Sequence, residues 1–244
     1  MVSDSALQQA PASDRAPDVK VLVVDDERSI RRPICAWLTA RGYTAYEAGT
    51  GSEVLEAVRK GALSDVILLD LCLPDLDGIE VTRCLRSSTQ TPIIILSVRS
   101  AEADKIAALN AGADDYITKP PAPARLLERI HAAMLRTTIK KSRFFESGNL
   151  RVDLNRNLVH ISGKRVELAP REYELLRVLV VNVGRLLTQQ HLIQEVWGET
   201  PSEEALPRLR STISSLRQKL ETDPTHPSYI GTEPGVGYRL WTQL

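Results

Sequence analysis

The side chains with the clearest chemical potential are three carboxylates, a hydroxyl and an amine, each at the end of a short run of branched residues: Asp25, Asp26, Asp70, Ser97 and Lys119. Carboxylates that crowd together repel one another and need a cation, and an all-oxygen ligand set favours Mg²⁺. A carboxylate can also act as a nucleophile toward phosphorus. Phosphoryl transfer spreads charge over oxygens that a metal, an ammonium group and a hydroxyl can stabilise. These residue types predict an aspartyl-phosphate pocket.

A purely structural role for these residues is the competing interpretation. An aspartate that follows a strand often caps the next helix, and a lysine before a proline is often only solvated. We expect Asp75 and Asp77 to serve the turn at residues 73–78 and the N-cap of the helix after it. The coincidence of reactive groups at four strand ends favours a shared site over independent caps.

Residues 19–136 carry the pattern that positions those groups. Five short runs are typical of strands buried on both faces, and they occur at residues 21–24, 44–47, 66–69, 93–96 and 116–118. Helical segments such as residues 52–59 and 103–111 lie between them. This alternation predicts an α/β fold, a doubly wound five-stranded parallel sheet in which the carboxyl ends of the strands gather at one edge.

The remainder of the chain has a different pattern. We predict a disordered tail at residues 1–18, a linker at 137–143 and an α+β domain at 144–244. Within that domain, short antiparallel strands occupy residues 150–168 and a Gly-rich hairpin closes the fold at 229–241. Three helices are predicted between them, at residues 172–183, 189–197 and 205–220.

The last of these helices could bind DNA. Its apolar residues recur at helical spacing and form one stripe: Leu209, Ile213, Leu216 and Leu220. No acidic residue falls between Pro207 and Leu220, and the remaining surface offers hydrogen-bond donors to a major groove. These donors are Arg208, Arg210, Ser211, Thr212, Ser214, Ser215, Arg217 and Lys219. A solvated amphipathic helix is the alternative, which the neighbouring hairpin makes less attractive.

The overall charge is too balanced for bulk affinity to nucleic acid. The chain has 31 basic and 31 acidic side chains, with 17 and 19 of them in residues 1–140, so a DNA contact needs a local patch. The scattered Cys35, Cys72 and Cys84 fit neither disulfide nor zinc spacing. Because we find neither an apolar run of about 18 residues nor a secretory start, we expect a cytoplasmic protein.

Four motifs carry a resemblance to the receiver domain of bacterial response regulators, which covers residues 19–136: residues 23–27, 68–74, 94–97 and 112–120. The resemblance implies that Asp70 accepts a phosphoryl group from a sensor histidine kinase, and that Ser97 and Lys119 hold that group. It implies a Mg²⁺ site formed by Asp25, Asp26, Asp70 and the backbone carbonyl of Cys72. Tyr116 matches the aromatic switch residue that turns inward when the hydroxyl of Ser97 moves.

Two departures from the receiver pattern involve proline. Pro121 replaces the aromatic residue that usually follows the Lys-Pro pair, and with Pro123 it stiffens the entry to the last receiver helix. Pro33 is expected in the first turn of the first helix, where proline is tolerated. Neither departure removes a reacting group.

Residues 144–242 resemble the winged-helix effector domain of the OmpR/PhoB subfamily, through residues 168–176, 187–192, 196–198, 216–220 and 235–240. By this likeness residues 205–220 are the recognition helix, Tyr238 and Arg239 belong to the DNA-contacting wing, and the loop 198–205 faces RNA polymerase. Glu233 stands near the wing glycine where a basic residue is common, which counts against a phosphate contact there. Further likeness, at residues 103–109 and 216–221, narrows the resemblance to regulators of potassium-uptake operons.

The resemblance also implies a homodimer that forms on phosphorylation through the fourth helix, fifth strand and fifth helix. Asp115 and Arg129 retain opposite charges for this pairing, and Lys105 is present on the fourth helix. The usual acidic partner of Lys105 is replaced by Arg125, and like charges across an interface repel. We therefore expect a weaker dimer than is usual for the subfamily.

Two other functions fit parts of the pattern. A haloacid-dehalogenase-like phosphatase also uses an aspartate after a strand, but it needs a second acid two residues on, where this chain has Cys72. A phosphorylation-independent DNA-binding protein with a degenerate receiver would not need Asp25, Asp70 and Lys119. We expect a regulator that at most catalyses its own phosphorylation and dephosphorylation, not a classical enzyme.

Overall fold

A computed structural model of the chain describes residues 19–61, 64–200, 202 and 204–242, and gives the backbone alone for 137–142. The predicted tail at residues 1–18 lies outside the described residues, as do positions 201 and 203 of the loop predicted to face RNA polymerase. Within the described part of the chain, no helix is both long and apolar enough to cross a membrane.

The first domain alternates strand and helix around one sheet. Its elements are β1 (Lys20–Val24), α1 (Arg28–Thr39), β2 (Thr44–Ala48), α2 (Gly51–Arg59), β3 (Val66–Leu69), α3 (Gly78–Ser88), β4 (Ile93–Ser97), α4 (Glu102–Asn110), β5 (Asp115–Thr118) and α5 (Pro123–Ser142). The strand order is β2-β1-β3-β4-β5 and all pairs are parallel. The predicted doubly wound five-stranded sheet is confirmed. Its order reverses between β1 and β3, where such folds place their sites.

Alternate side chains of the central strands build a core on each face of this sheet. On one face, Leu68 packs with Leu38 of α1 and Ile130 of α5. On the other, Leu69 packs with Val81 of α3. All five are fully buried. Because both faces are covered, the polar groups of these central strands are confined to their ends.

The second domain is α+β, with helices against two small antiparallel sheets. Its elements are β6 (Phe144–Ser147), β7 (Leu150–Asp153), β8 (Leu158–Ile161), β9 (Lys164–Arg165), α6 (Pro170–Val181), β10 (Leu187–Thr188), α7 (Gln189–Trp197), α8 (Ala205–Leu220), β11 (Ile230–Glu233) and β12 (Gly237–Leu240). The sheet orders are β6-β7-β8-β9 and β10-β12-β11. The hairpin of β11 and β12 is the wing, and the predicted winged-helix fold is confirmed.

One charged residue joins the end of α8 to the wing. The carboxylate of Glu221 accepts hydrogen bonds from the backbone N–H groups of Ser228, Tyr229 and Ile230 at 2.8–3.1 Å. These donors are at the entry to β11, where they would otherwise lack an acceptor. The orientation of the wing relative to α8 is therefore fixed by hydrogen bonds as well as by apolar packing.

Two predictions about local structure are wrong. The segment predicted as a linker at residues 137–143 is instead the end of α5, which runs to Ser142. Adding residues to a helix that is already formed costs little free energy, so α5 can continue through this segment even without an apolar stripe. Pro33 is the sixth residue of α1, beyond the first turn, so its nitrogen cannot donate to the carbonyl of Ser29.

Candidate functional site

The strand order places the ends of β1 and β3 side by side, and three carboxylates meet there. One oxygen from each of Asp25, Asp26 and Asp70 lies within 4.8 Å of the others. Asp25 and Asp70 are buried, whereas Asp26 is exposed. Carboxylates this close repel one another, so the cluster needs compensating positive charge.

Lys119, directly after β5, supplies part of that charge. Its Nζ donates to Oδ2 of Asp25 at 2.6 Å and to Oδ2 of Asp70 at 2.7 Å, and its side chain is 4% exposed. Burial alone would lower the pKa of Lys119, but the hydrogen bonds to both carboxylates outweigh burial and raise it. The ammonium group is therefore held in its charged form. One ammonium against three carboxylates still leaves the cluster negative.

The second oxygen of Asp70 is left open by the protein. Asp70 Oδ1 is buried and has no hydrogen-bond partner within the part of the chain that the structure describes. A buried carboxylate oxygen without a partner is costly unless a ligand completes its coordination. The all-oxygen donor set around it suits a hard divalent cation. The residues present therefore fit a metal site beside an accessible carboxylate oxygen.

The loop after β3 is held close to this cluster. Cys72 forms an isolated bridge with Asp77, and Asp77 caps α3 by accepting a hydrogen bond from Ile79 N at 2.8 Å, as predicted. A Cβ on Gly78 would approach the carbonyl oxygen of Asp70 to 2.4 Å. Only glycine lets α3 begin this near the acidic loop.

Asp75 does not serve the turn in which it lies, so that prediction is wrong. Its carboxylate accepts the backbone N–H groups of Gly51 and Ser52 at 2.8 Å each, and so caps the first turn of α2. Hydrogen bonds from Ser52 lower the pKa of Asp75 to about 2. The contact ties the loop after β3 to α2, across 23 residues of sequence.

Ser97 and Tyr116 lie on one side of the cluster and are linked through Arg99. Ser97 is fully buried at the end of β4, and its hydroxyl accepts a hydrogen bond from Arg99 N at 3.3 Å. The hydroxyl of Tyr116 donates to the carbonyl of Arg99 at 2.6 Å. Tyr116 is only 3% exposed, and burial raises its pKa. The aromatic ring is turned inward, and a shift of Ser97 would reach it through the segment containing Arg99.

The predicted DNA-facing helix occupies its predicted range, Ala205–Leu220. Its apolar stripe is buried in the second domain: Leu209, Ile213, Leu216 and Leu220. Arg210, Ser211 and Ser214 are exposed on the opposite side. Arg210 makes no hydrogen bond or ion pair with any described residue, so its guanidinium is free to meet a partner.

Comparisons with known proteins agree with both halves of this architecture. The response regulator receiver domain family matches residues 21–131, and the family "transcriptional regulatory protein, C terminal" matches residues 163–240. The chain is a response regulator of the OmpR/PhoB type. The predicted family is thus confirmed, and a degenerate receiver is not favoured for a response regulator whose acidic cluster, Lys119 and Ser97 are all in place.

Relatives cover nearly the whole response regulator. The KDP operon transcriptional regulatory protein KdpE of Escherichia coli (strain K12) is 43% identical over 223 residues, which cover 90% of this chain and 98% of that protein. KdpE of Mycobacterium tuberculosis (strain ATCC 25618 / H37Rv) is 42% identical with the same coverage. Among solved structures, the Thermotoga maritima OmpR/PhoB homologue DrrB is 30% identical, covering 91% of this chain and 99% of that one, with a TM-score of 0.43.

Several side chains that were predicted to contact DNA instead bind other residues of the second domain. Arg217 donates to the carbonyl of Ile230 and to Thr232 Oγ1 at 2.6–3.1 Å, which tethers the wing. Lys219 lies 2.6 Å from Oε2 of Glu172 on α6. Three further side chains also have partners in this domain. Ser215 donates a hydrogen bond to Glu172, and Thr212 donates one to the carbonyl of Arg208. The guanidinium of Arg208 pairs with Glu199.

Tyr238 and Arg239 of the wing do not face solvent in this arrangement. Tyr238 is 6% exposed and Arg239 is 3% exposed. The guanidinium of Arg239 pairs with Asp115 on β5 of the receiver and donates to the carbonyl of Gly184 at 2.5 Å. With its donors engaged inside the molecule, Arg239 cannot also reach a DNA backbone.

The residues predicted for the dimer interface are largely covered by the winged-helix domain. Asp115 and Arg129 are buried and lie 3.0 Å apart within one chain. Lys105 lies 3.3 Å from Glu233 at the end of β11. Arg125 is exposed. The acidic wing residue that departs from the subfamily pattern therefore has a partner on the receiver.

Sequence reasoning missed two residues that connect parts of the molecule. Arg99 links Ser97 with Tyr116, and Arg185 links the second domain with the receiver. Arg99 could have been found, because it lies two residues beyond Ser97 and so close to the strand ends. Arg185, which lies 3.6 Å from Asp114 of the receiver, carries no motif and no periodic signal. Contacts between residues so far apart in sequence become visible only in the folded chain.

Proposed function

We propose that Asp70 is phosphorylated by a KdpD-like sensor histidine kinase, and that the phosphorylated protein binds promoter DNA as a homodimer to control a potassium-uptake operon. The observation that carries the proposal is the open oxygen of Asp70 beside two carboxylates and a buried ammonium group. The similarity to KdpE supports the operon class. Such partners would place the protein in the cytoplasm.

The reaction follows from the positions of the side chains. An oxygen of Asp70 attacks phosphorus as the bond from phosphorus to the kinase histidine breaks, leaving an acyl phosphate on Asp70 and a neutral histidine. The ammonium of Lys119, now 2.7 Å from Asp70, and the hydroxyl of Ser97 can each donate to a phosphoryl oxygen. Mg²⁺ held by Asp25, Asp26, Asp70 and the backbone carbonyl of Cys72 would neutralise charge on the phosphoryl oxygens.

We assign the DNA contact to the exposed side of α8 because its donors are free. Arg210, Ser211 and Ser214 face outward from a helix whose other side is anchored in the core. A helix presented in this way suits a major groove. The loop at 198–205 follows α7 on the same domain and remains the candidate contact with RNA polymerase.

The dimer would use α4, β5 and α5 of each receiver, with Asp115 and Arg129 pairing between copies. Lys105 and Arg125 bring like charges to the same face, which weakens the pairing at low salt. Arg125→Glu should therefore strengthen dimerisation of the phosphorylated protein, as measured by sedimentation. Equal dimer affinity in both proteins would show that Arg125 does not face Lys105.

The test of this function is phosphorylation-dependent binding to promoter DNA. The affinity for the promoter of a potassium-uptake operon would be measured with and without acetyl phosphate and Mg²⁺. We expect tighter binding by the wild type on addition of the phosphodonor and no change in Asp70→Asn, which keeps the size of the side chain but removes the nucleophile. Tightening of both proteins to the same extent would exclude control through Asp70.

A further inference from the structure

A small cavity lined by arginines lies where β4 and β5 begin, at the end of the receiver sheet opposite to the acidic cluster. Its volume is about 80 Å³, which is room for a few water molecules or one small polyatomic anion. Among the described residues that line it, three are arginines and one is acidic: Arg86, Arg136, Arg185 and Asp114. The lining therefore carries an excess of two positive charges.

Asp114 does not satisfy these three guanidinium groups. Its Oδ2 accepts hydrogen bonds from Arg86 Nη2 and from the backbone N–H of Ile93, at 2.8 Å each. Its Oδ1 lies 3.6 Å from Arg136 Nη2 and 3.6 Å from Arg185 Nε, which is too long for a hydrogen bond. Arg185 Nε is buried and has no hydrogen-bond partner among the described residues. A donor left in this way costs free energy unless a ligand accepts from it.

The adjacent carboxylate, Asp115, does not offset the excess of positive charge. It already faces two arginines, Arg129 at 3.0 Å and Arg239. Arg129 is 5% exposed, and two of its nitrogens are buried without a hydrogen-bond partner in the part of the chain that the structure describes. Asp115 therefore has no negative charge to spare for the neighbouring cavity.

The surroundings of the cavity disfavour the charge of its arginines. Burial lowers the pKa of Arg86 and that of Arg136. Asp114 acts in the opposite direction, but repulsion from Arg185 lowers both pKa values further. An arginine nevertheless stays protonated in a protein, and buried charge is costly unless it is paired. The excess charge therefore favours binding of an anion.

The lining also selects the kind of anion. Two excess positive charges suit a dianion, and the planar guanidinium group matches the oxygens of a phosphate. The carboxylate of Asp114 repels a fully deprotonated anion such as sulfate, but it can accept a hydrogen bond from the hydroxyl of hydrogen phosphate. The cavity is far smaller than the roughly 300 Å³ or more of pockets that hold larger ligands, so a nucleoside does not fit.

We propose that this cavity binds one hydrogen phosphate ion, with Arg136 and Arg185 as donors and Asp114 as the acceptor of its hydroxyl. Arg86 holds Asp114 in place through the hydrogen bond at 2.8 Å. The site takes residues from both domains and shares none with the acidic cluster. Its ligand is free phosphate from solution, and its occupation needs neither Mg²⁺ nor a phosphoryl group on Asp70.

The effect of inorganic phosphate on the thermal stability of the full chain tests the site. Melting temperatures would be measured against phosphate concentration, at constant ionic strength set with sodium chloride and with a chelator present to keep the acidic cluster free of metal. We expect phosphate to raise the melting temperature, because a ligand that binds the folded state stabilises it. Sulfate and AMP should bind at least severalfold more weakly, because sulfate has no hydroxyl and AMP does not fit.

Variants of the lining place the ion in this cavity. Gln90 lines it and is exposed, so a substitution there carries little risk of unfolding. Gln90→Glu should weaken the apparent phosphate affinity severalfold, and Gln90→Lys should strengthen it. Arg185→Gln should weaken it on the order of tenfold or more, because a charged donor is lost. The control is Arg156→Gln, which removes a charge at a side chain that is 78% exposed and should leave the affinity unchanged.

Three results would overturn the proposal. The first is a melting temperature that sodium chloride raises as much as phosphate does at the same ionic strength, which is screening alone. The second is equal phosphate affinity in the wild type, Gln90→Glu and Gln90→Lys, and this pair decides the matter even if Arg185→Gln fails to fold. The third is binding of sulfate or AMP as tight as that of phosphate, which would exclude hydrogen phosphate as the preferred ligand.

Discussion

At the scale of single residues, the fold itself holds the acidic cluster together, whereas each hydrogen-bond donor on α8 has its own surroundings. Asp25, Asp70 and Lys119 end buried strands, and the geometry of a parallel sheet brings strand ends to one edge. The donors on α8 have no comparable constraint. Arg210 and Arg217 look alike in sequence, yet Arg217 is tied to the wing and Arg210 is free.

This difference predicts separate effects for the two arginines. Arg210→Ala should weaken promoter binding without lowering the melting temperature. A lost base contact would cost about 1–3 kcal/mol, and a lost phosphate contact would lower the salt slope of log affinity by about 0.9. Arg217→Ala should lower the melting temperature, because the wing loses its hydrogen bonds to α8. Calorimetry and binding titrations at several salt concentrations measure both. Unchanged affinity in Arg210→Ala would remove α8 from the DNA contact.

At the scale of elements, periodicity decided which predictions succeeded. The range of α8 was predicted to the residue because its apolar stripe is regular and continues to its last residue. The end of α5 was missed because residues 137–142 carry no stripe. The strand β6 was missed because the strands of the second domain were predicted only from residue 150 onward.

The contact between α6 and α8 makes a prediction about pH. Burial would raise the pKa of Glu172, but hydrogen bonds from Lys219 and Ser215 outweigh it and lower the pKa below 4.5. A carboxyl group with a lowered pKa in the folded state stabilises the fold above its unfolded pKa, and this contribution is lost as pH falls through the folded value. Glu172→Gln should therefore cost about 1 kcal/mol near neutral pH and little once the pH has fallen below the lowered pKa of Glu172.

Thermal unfolding of both proteins across this pH range provides the measurement. The matched control is Glu167→Gln, which removes a carboxylate from an exposed position five residues away. It should shift the melting temperature little at any pH. If the difference in melting temperature between the wild type and Glu172→Gln stays constant down to acid pH, the charge of Glu172 does not hold α6 to α8.

At the scale of the whole molecule, the sequence predicted two domains but not how they meet. Arg239 and Asp115 are 124 residues apart, and no pattern in either segment indicates that they pair. Glu233 was visible as a departure from the subfamily wing, and its partner Lys105 gives the departure a physical reason. Residues predicted for DNA and for the dimer are shared with the contact between the domains. The dimer and the wing–DNA contact that we propose would therefore compete with this contact for the same side chains.

The central claim is that Asp70 is the phosphoryl acceptor in a metal-dependent pocket, and direct mapping of the acyl phosphate tests it. The full chain would be incubated with acetyl phosphate, with Mg²⁺ or with a chelator, and analysed by mass spectrometry of the intact protein and of its peptides. We predict one hydroxylamine-sensitive phosphoryl group on Asp70 that requires Mg²⁺, slower labelling in Asp26→Ala and none in Asp70→Asn. Labelling of Asp70→Asn at the wild-type rate, or labelling that is indifferent to the chelator, would contradict the account.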